Sequence, residues 1–380
     1  MMRTQNRFVP LVSLLSVLAI FYYDHAIRSI KNYDGNNSSI NTMEYTETTH
    51  NNEDGDEFIK YTPGSAEKMI MENLDTLGFN KVNNPRTCFV YDPNATYPTL
   101  QASLTSYREE LEAHTKAIQS FETIPNLMHN IKHSSAGTEH DICNSLRPHP
   151  DGILGLFPSK QLSLSSSGYV EPILPPMRHP GLCGDPSKHL SMDFLVHDFE
   201  AMCHKLKPTS KLVLIDIGAS LDFHGRNQPI MWLLNLYEKM GFHFDHIFGF
   251  EVTDKDPKKV YGGLPEKYFS SYHWINVGVS KDKGDKLNPL RSIVKAFDED
   301  DFIVVKLDID TSSIEVPLVH QLLEESDIFS KLIDHFYFEH HVHLGELNQN
   351  WGRTMVGTVK ESFELFSRLR EAGIPAHSWV

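Results

Sequence analysis

Acidic side chains stand at the ends of four apolar runs. These are Asp216 after KLVLI, Glu251 after HIFGF, Asp308 and Asp310 in FIVVKLDID, and Glu339 in HFYFEH. Apolar runs of this length read as strands, and in an open α/β sheet the carboxyl ends of the strands converge on the ligand crevice. Four strands ending in acids therefore point to a site. Asp216-x-Gly218 opens the first run into a turn, where a glycine lets the backbone approach a nucleotide-like ligand closely. Ser220 follows in the same turn. Glu251 is placed to accept hydrogen bonds from ribose hydroxyls, although it lies 33 residues after Gly218 where about 20 is usual. The insertion HGRNQ accounts for the extra length.

The segment FYFEHHVHL, Phe336–Leu344, is the second dense cluster. At strand spacing Glu339, His341 and His343 share one face. They could bind a divalent metal with Asp308 or Asp310. His341 could equally act as a general base on an acceptor hydroxyl, or the histidines could simply hydrogen-bond at the sheet rim. Asp222 and His224 either close over a cofactor or are plain loop residues. Trp351 and Arg353 either line an acceptor pocket or belong to a surface loop.

These residues need a frame. Ser191 would cap a helix through Leu206, with Leu195, Phe199, Met202 and Leu206 on one face. Strands are expected over 211–217, 246–251, 272–279, 302–309, 335–340 and 376–380, and helices over 229–240, 316–325 and 359–372. Strand alternating with helix implies a Rossmann-like, mostly parallel α/β sheet with helices on both faces. Upstream, 66–77 and 98–124 read as helical and Thr87–Tyr91 as a strand. Residues 147–186, rich in Pro, Gly and Ser, read as irregular loop.

In order along the chain, IDIGAS (Ile215–Ser220), FGFE (Phe248–Glu251), NVGVS (Asn276–Ser280) and VKLDID (Val305–Asp310) resemble the landmarks of FkbM-type class I methyltransferases. The resemblance covers about 211–346. It implies S-adenosylmethionine as cofactor and methyl transfer to a hydroxyl. It also implies that Asp216, Gly218 and Ser220 line the methionine and ribose side, that Glu251 holds the ribose, and that Asp308 and Asp310 face the reacting methyl group. Asp308 or His341 would be the base. The family pattern Asp-x-Gly-Ala-Asn-x-Gly reads here with Ser220 and Asp222 at its last two landmarks, so Gly225 would have to take over the turn. Asp310-Thr311 replaces the family's Glu-Gly.

Two rival readings stay open. Asp308-x-Asp310 also matches the metal-binding D-x-D of Golgi glycosyltransferases, and Asp222 in a glycine position suits a degenerate domain that only binds a partner.

The remaining sequence concerns compartment. Residues 8–23 form a 16-residue apolar stretch preceded by Arg3 and Arg7, which reads as a signal anchor, with a cleaved signal peptide as the rival. The organisation expected is a cytosolic tail (1–7), an anchor (8–23), a flexible luminal stem (24–62), an irregular and helical region (63–190) and the methyltransferase-like domain (191–380). Asn36, Asn37 and Asn94 match the N-glycosylation pattern. Cys88, Cys143, Cys183 and Cys203 form no C-x-x-C pair, so they offer two disulfides in any of three connectivities, or leave Cys203 as a buried thiol. A single-pass protein of the secretory pathway, in the Golgi, with a small-molecule or glycan acceptor fits this pattern. The net charge of −15, from 50 acidic against 35 basic residues, excludes a nucleic-acid binder of ordinary kind.

Overall fold

The computed structural model describes residues 61–83, 86–92, 94, 97–133, 139–146, 168–175, 179–220, 228–292 and 294–380. The expected tail, anchor and stem lie outside these, except Tyr61 and Thr62, as do Asn36, Asn37, Asp222, His224 and Gly225. Among the described residues no helix is long and apolar enough to cross a membrane.

Six strands form one parallel sheet: β1 (Leu212–Ile217), β2 (His246–Phe250), β3 (Tyr272–Ile275), β4 (Phe302–Leu307), β5 (His335–Phe338) and β6 (Ala376–Ser378). Their order is β3-β2-β1-β4-β5-β6, the doubly wound order whose reversal between the first and fourth strands opens a ligand crevice. Every residue of β1 and β4 is buried, as a central parallel strand covered on both faces must be. The α/β, Rossmann-like expectation holds at this level.

Several elements end earlier than their apolar pattern. β3 stops at Ile275 because the Asn276 side chain donates to the Glu251 and Thr253 carbonyls (2.7 and 2.9 Å) and turns the chain. β4 stops at Leu307, and Asp310 then takes a left-handed backbone, φ 55°. The following helix starts at Ser312, ahead of the expected 316, and carries Pro317 inside it. Proline cannot donate to the carbonyl four residues back, and Lys281 Nζ donates to that carbonyl, Ser313 O, at 3.3 Å.

Two upstream expectations are corrected. Thr87–Tyr91 is not a strand: Cys88–Tyr91 is a 3-10 turn. Its leading N–H groups, Thr87 and Cys88, donate to the Glu346 carboxylate rather than to a sheet. The helix expected from Ser191 spans only Phe199–Lys205, capped by Asp198, which accepts the Ala201 N–H. The preceding residues are not helical: Met192–Leu195 form a turn, His197 bridges Val170, and Val196 N–H donates to Glu171.

One apolar core runs from Ala66 to Val380. The disulfide Cys143–Cys203 joins the short helix Glu139–Asn144 to Phe199–Lys205, across the boundary expected at 190. Cys88–Cys183 is the second bond, and no described cysteine is free. A buried cluster adds polar ties. Arg370 donates to the Glu171 carbonyl and carboxylate and to the Tyr61 hydroxyl, which in turn donates to Glu67.

Candidate functional site

Where β1 ends, Gly218 and Ala219 N–H both donate to the Phe250 carbonyl (3.0 and 2.9 Å), folding the turn over the end of β2. Gly218 has φ +97°, and a Cβ there would lie 1.6 Å from the Asp308 carbonyl oxygen. Glycine is thus required by conformation and by the backbone of the neighbouring strand at once. Among the described residues the next helix begins at Pro229.

The turn forms one wall of a cleft of about 540 Å³ at the carboxyl ends of β1, β2 and β4. Gly218, Ser220, Glu251, Asp308 and Asp310, five of the residues singled out in the sequence, line it together. Val252, Val277, Val279, Ile309 and Ile314 supply apolar wall, and among the described residues the lining contains no lysine or arginine. Glu251 accepts the Ser220 N–H on one carboxylate oxygen (3.1 Å) and the Thr253 N–H on the other (2.5 Å). Each oxygen keeps a further lone pair for a ligand hydroxyl.

Asp216 is placed differently. It is fully buried beneath the cleft and is not on its wall. Its partner is Lys306, a lysine in the middle of the apolar strand β4 with no exposed surface. Lys306 Nζ lies 3.1 Å from Asp216 Oδ1 and 3.3 Å from Asp308 Oδ2, and donates to the Gly218 carbonyl at 2.9 Å. A buried ammonium needs such compensation. The sequence carried the signal, since lysine almost never sits in a strand buried on both faces without a partner.

Beside Asp308 the acids crowd. Burial pushes the Asp308 carboxyl well above the ordinary carboxylate range; Lys306 opposes the shift and Glu339 adds to it. Burial likewise raises Glu315 to about 7, although Glu315 accepts the Ile309 N–H at 2.8 Å.

His341 lies against this group. Its Nε2 is 3.0 Å from Glu339 Oε2 and 3.7 Å from Asp310 Oδ1. Trp351 stacks on its ring and donates from Nε1 to Glu339 Oε1 at 2.9 Å, so Trp351 is a supporting residue. Arg353 is exposed.

His343 does not join the set: its Nδ1 is bonded to the Gly357 carbonyl at 2.8 Å. β5 ends at Phe338, so the period-two spacing that would have aligned Glu339, His341 and His343 lapses there. His340 points elsewhere as well, to Ser362 Oγ at 2.9 Å, and burial lowers it to about 3. Thr354, which meets His341 Nδ1 at 2.6 Å, had no sequence signal.

No family model, curated protein or solved structure matches the chain. The geometry therefore stands on its own chemistry.

A second histidine cluster, His197, His335 and His377, is fully closed off from solvent. His335 Nδ1 meets His377 Nε2 at 2.7 Å, His377 Nδ1 meets Glu171, and His197 Nε2 meets the Tyr337 hydroxyl at 2.5 Å. Burial holds all three imidazoles well below their ordinary pKa. The rings stack on one another as a hydrogen-bonded chain within the core.

Proposed function

We propose that the chain is an FkbM-like, S-adenosylmethionine-dependent O-methyltransferase of the secretory pathway, anchored through residues 8–23 with its folded part luminal. The observation that carries this reading is the charge of the cleft. Among the described residues its charged lining is acidic, from Glu251, Asp308 and Asp310, and no lysine or arginine lines it. That suits a cofactor with a sulfonium and an ammonium group, and opposes a ligand that brings bare phosphates.

The residues fit such a cofactor in three respects. The cleft volume is in the range of small-ligand sites. Glu251 presents carboxylate oxygens to a ribose diol, and the valine and isoleucine walls suit an adenine ring. The Gly218 backbone comes close because no side chain intervenes. When bound, the cofactor would supply an electrophilic methyl group to an acceptor oxygen, and positioning does most of the work in such a displacement.

The protein's own part is then binding and orientation. Asp308, pushed toward its protonated form, orients as a donor and is a poor base. Asp310, exposed on the wall, and His341 behind it are the groups that steer the hydroxyl proton. The acceptor proposed is a glycan or small-molecule hydroxyl. Support for the compartment comes from the two disulfides, which persist in oxidising surroundings, and from Asn94, exposed within its glycosylation pattern.

A second reading, a metal-dependent glycosyltransferase, is favoured by one observation, the approach of Asp310 to Glu339 and His341. Calorimetry of the purified chain against S-adenosylmethionine, its demethylated product and UDP-sugars with Mn²⁺ separates the two. Heat with both methyl-cycle ligands and none with UDP-sugars is expected. The converse result overturns the methyltransferase reading, and silence from all three leaves the non-catalytic domain.

A further inference from the structure

We propose that Asp310, Glu339 and His341 form a mononuclear site for a divalent transition-metal cation of the manganese(II) type, opening on the cleft. This goes beyond the methyl-transfer reading and does not depend on it.

Convergence is the first argument. His341 Nε2, Glu339 Oε2 and Asp310 Oδ1 approach one another at 3.0 and 3.7 Å, and one ligand atom from each residue lies within 4.8 Å of the others. Neighbouring ligands on an ion with bonds of about 2.1 Å stand roughly 3 Å apart.

Proton accounting is the second. The Thr354 hydroxyl donates to the Trp351 carbonyl at 3.2 Å, so its oxygen accepts from His341 Nδ1 at 2.6 Å. With the imidazole neutral, that places its proton on Nδ1 and leaves Nε2 with a bare lone pair. His341 is 1% exposed, and its Nε2 makes no hydrogen bond. A buried lone pair directed among carboxylate oxygens is repulsive unless a cation stands between them.

Support from outside the ligand set is the third. Thr354 fixes the imidazole, and Trp351 holds the other Glu339 oxygen while stacking on His341. Metal-bound histidines and carboxylates are oriented by such partners. Asp310 comes from the opposite side, on a left-handed backbone, with its side chain 78% exposed at the cleft wall. The open coordination positions therefore face the cleft, where an acceptor oxygen can complete them.

The donor set narrows the ion. One imidazole with two carboxylates suits Mn²⁺ or a neighbouring transition ion, whereas Mg²⁺ prefers oxygen donors and keeps its waters. The second histidine cluster lacks this character, because it has no opening and brings no carboxylate ligand; His335 Nε2 is without a hydrogen bond there, but His197, His335 Nδ1 and His377 bond to Tyr337, to one another and to Glu171.

The test is Mn²⁺ binding to the full chain, followed by loss of the free-ion paramagnetic resonance signal. One Mn²⁺ per chain is expected, with affinity falling about 100-fold in His341→Ala and about 10-fold in Thr354→Val. Asp310→Asn keeps the fold safe, because asparagine tolerates the left-handed backbone and the side chain is exposed; it should weaken Mn²⁺ by about 10-fold or more. Absence of stoichiometric Mn²⁺ binding, or binding unchanged in Asp310→Asn and His341→Ala, overturns the site. An imidazolium ion pair in its place would show both ring nitrogens protonated by NMR, with no response to Mn²⁺. Binding of S-adenosylmethionine is measured separately in metal-free protein. Mn²⁺ binding without cofactor heat sinks the methyltransferase reading alone, and the reverse result sinks the metal site alone.

Discussion

Lys306 Nζ stands 3.1 Å from Asp216 Oδ1, and both side chains are sealed from solvent. The floor of the cleft is thus an ion pair between β1 and β4 that also reaches Asp308 and the Gly218 carbonyl. Lys306→Met should destabilise the protein by about 3–5 kcal/mol, the cost of leaving a buried charge without its partner. Adding Asp216→Asn should recover part of that loss. Guanidinium unfolding of the two variants checks both points; equal stability of Lys306→Met and wild type would show that the pair holds nothing.

Gly218→Ala and Gly352→Ala make an informative contrast. Both positions have positive φ, but a Cβ at Gly352 meets open space while one at Gly218 runs into the Asp308 backbone. Gly352→Ala should cost about 1–3 kcal/mol from backbone strain alone. Gly218→Ala should cost clearly more and displace the Gly218–Asp308 contact. Chemical denaturation curves for the pair decide it, and equal losses would contradict the close approach.

Glu251→Ala removes the acceptor for the Ser220 and Thr253 N–H groups as well as the proposed ribose contact. Hydrogen bonds to a charged group are worth about 1.5–3 kcal/mol, so affinity for S-adenosylmethionine should fall at least tenfold. Glu251→Gln, which keeps one carbonyl oxygen, should lose less. Titration calorimetry reads both variants.

The buried histidines set a pH limit. His197, His335 and His377 are held neutral in the folded protein, with pKa values far below the 6.5 they recover on unfolding. Below that pH the unfolded chain binds protons that the folded one does not. Their contribution to stability is therefore full above about pH 6.5 and falls as the solution is acidified, by up to about 1.4 kcal/mol per pH unit for each histidine; the raised carboxyls of Asp308, Glu315 and Glu67 contribute the opposite slope. The difference in urea midpoint between wild type and His335→Gln should therefore move in favour of the variant from pH 7.5 to 5. A difference that does not change with pH over that range would contradict the closed cluster.

Much of the frame was legible in the sequence because buried parallel strands announce themselves: LVLI and FIVV have no other stable place. The acids at their ends were legible for the same reason, and Gly218, Ser220, Glu251, Asp308 and Asp310 do share one cleft. What escaped depends on three-dimensional closure. Asp216 reads as one more strand-end acid, yet it lies inside β1 in register with Gly249 and Lys306, short of the position held by Glu251 and Asp308, and so sits beneath the cleft. His343 fits the period-two pattern only if β5 continues, and it ends at Phe338. Thr354 approaches His341 through a fold of the 340–357 segment that no local pattern encodes. The helix boundary at Asp198 rather than Ser191 was set by Val170 and Glu171, partners distant in sequence.

Glu346 Oε1 accepts the backbone N–H groups of Thr87 and Cys88, at 2.8 and 3.0 Å, and Cys88 is tied to Cys183. The loop that stations Trp351 and Thr354 against His341 is therefore moored to a segment whose own anchorage is a disulfide. Electron supply from the surroundings thereby becomes an input to the site. Reduction with dithiothreitol should speed amide hydrogen exchange across 344–354 while the amides of β1 and β4 stay protected. Exchange rising evenly through the sheet, or nowhere, would mean that the mooring carries no such signal.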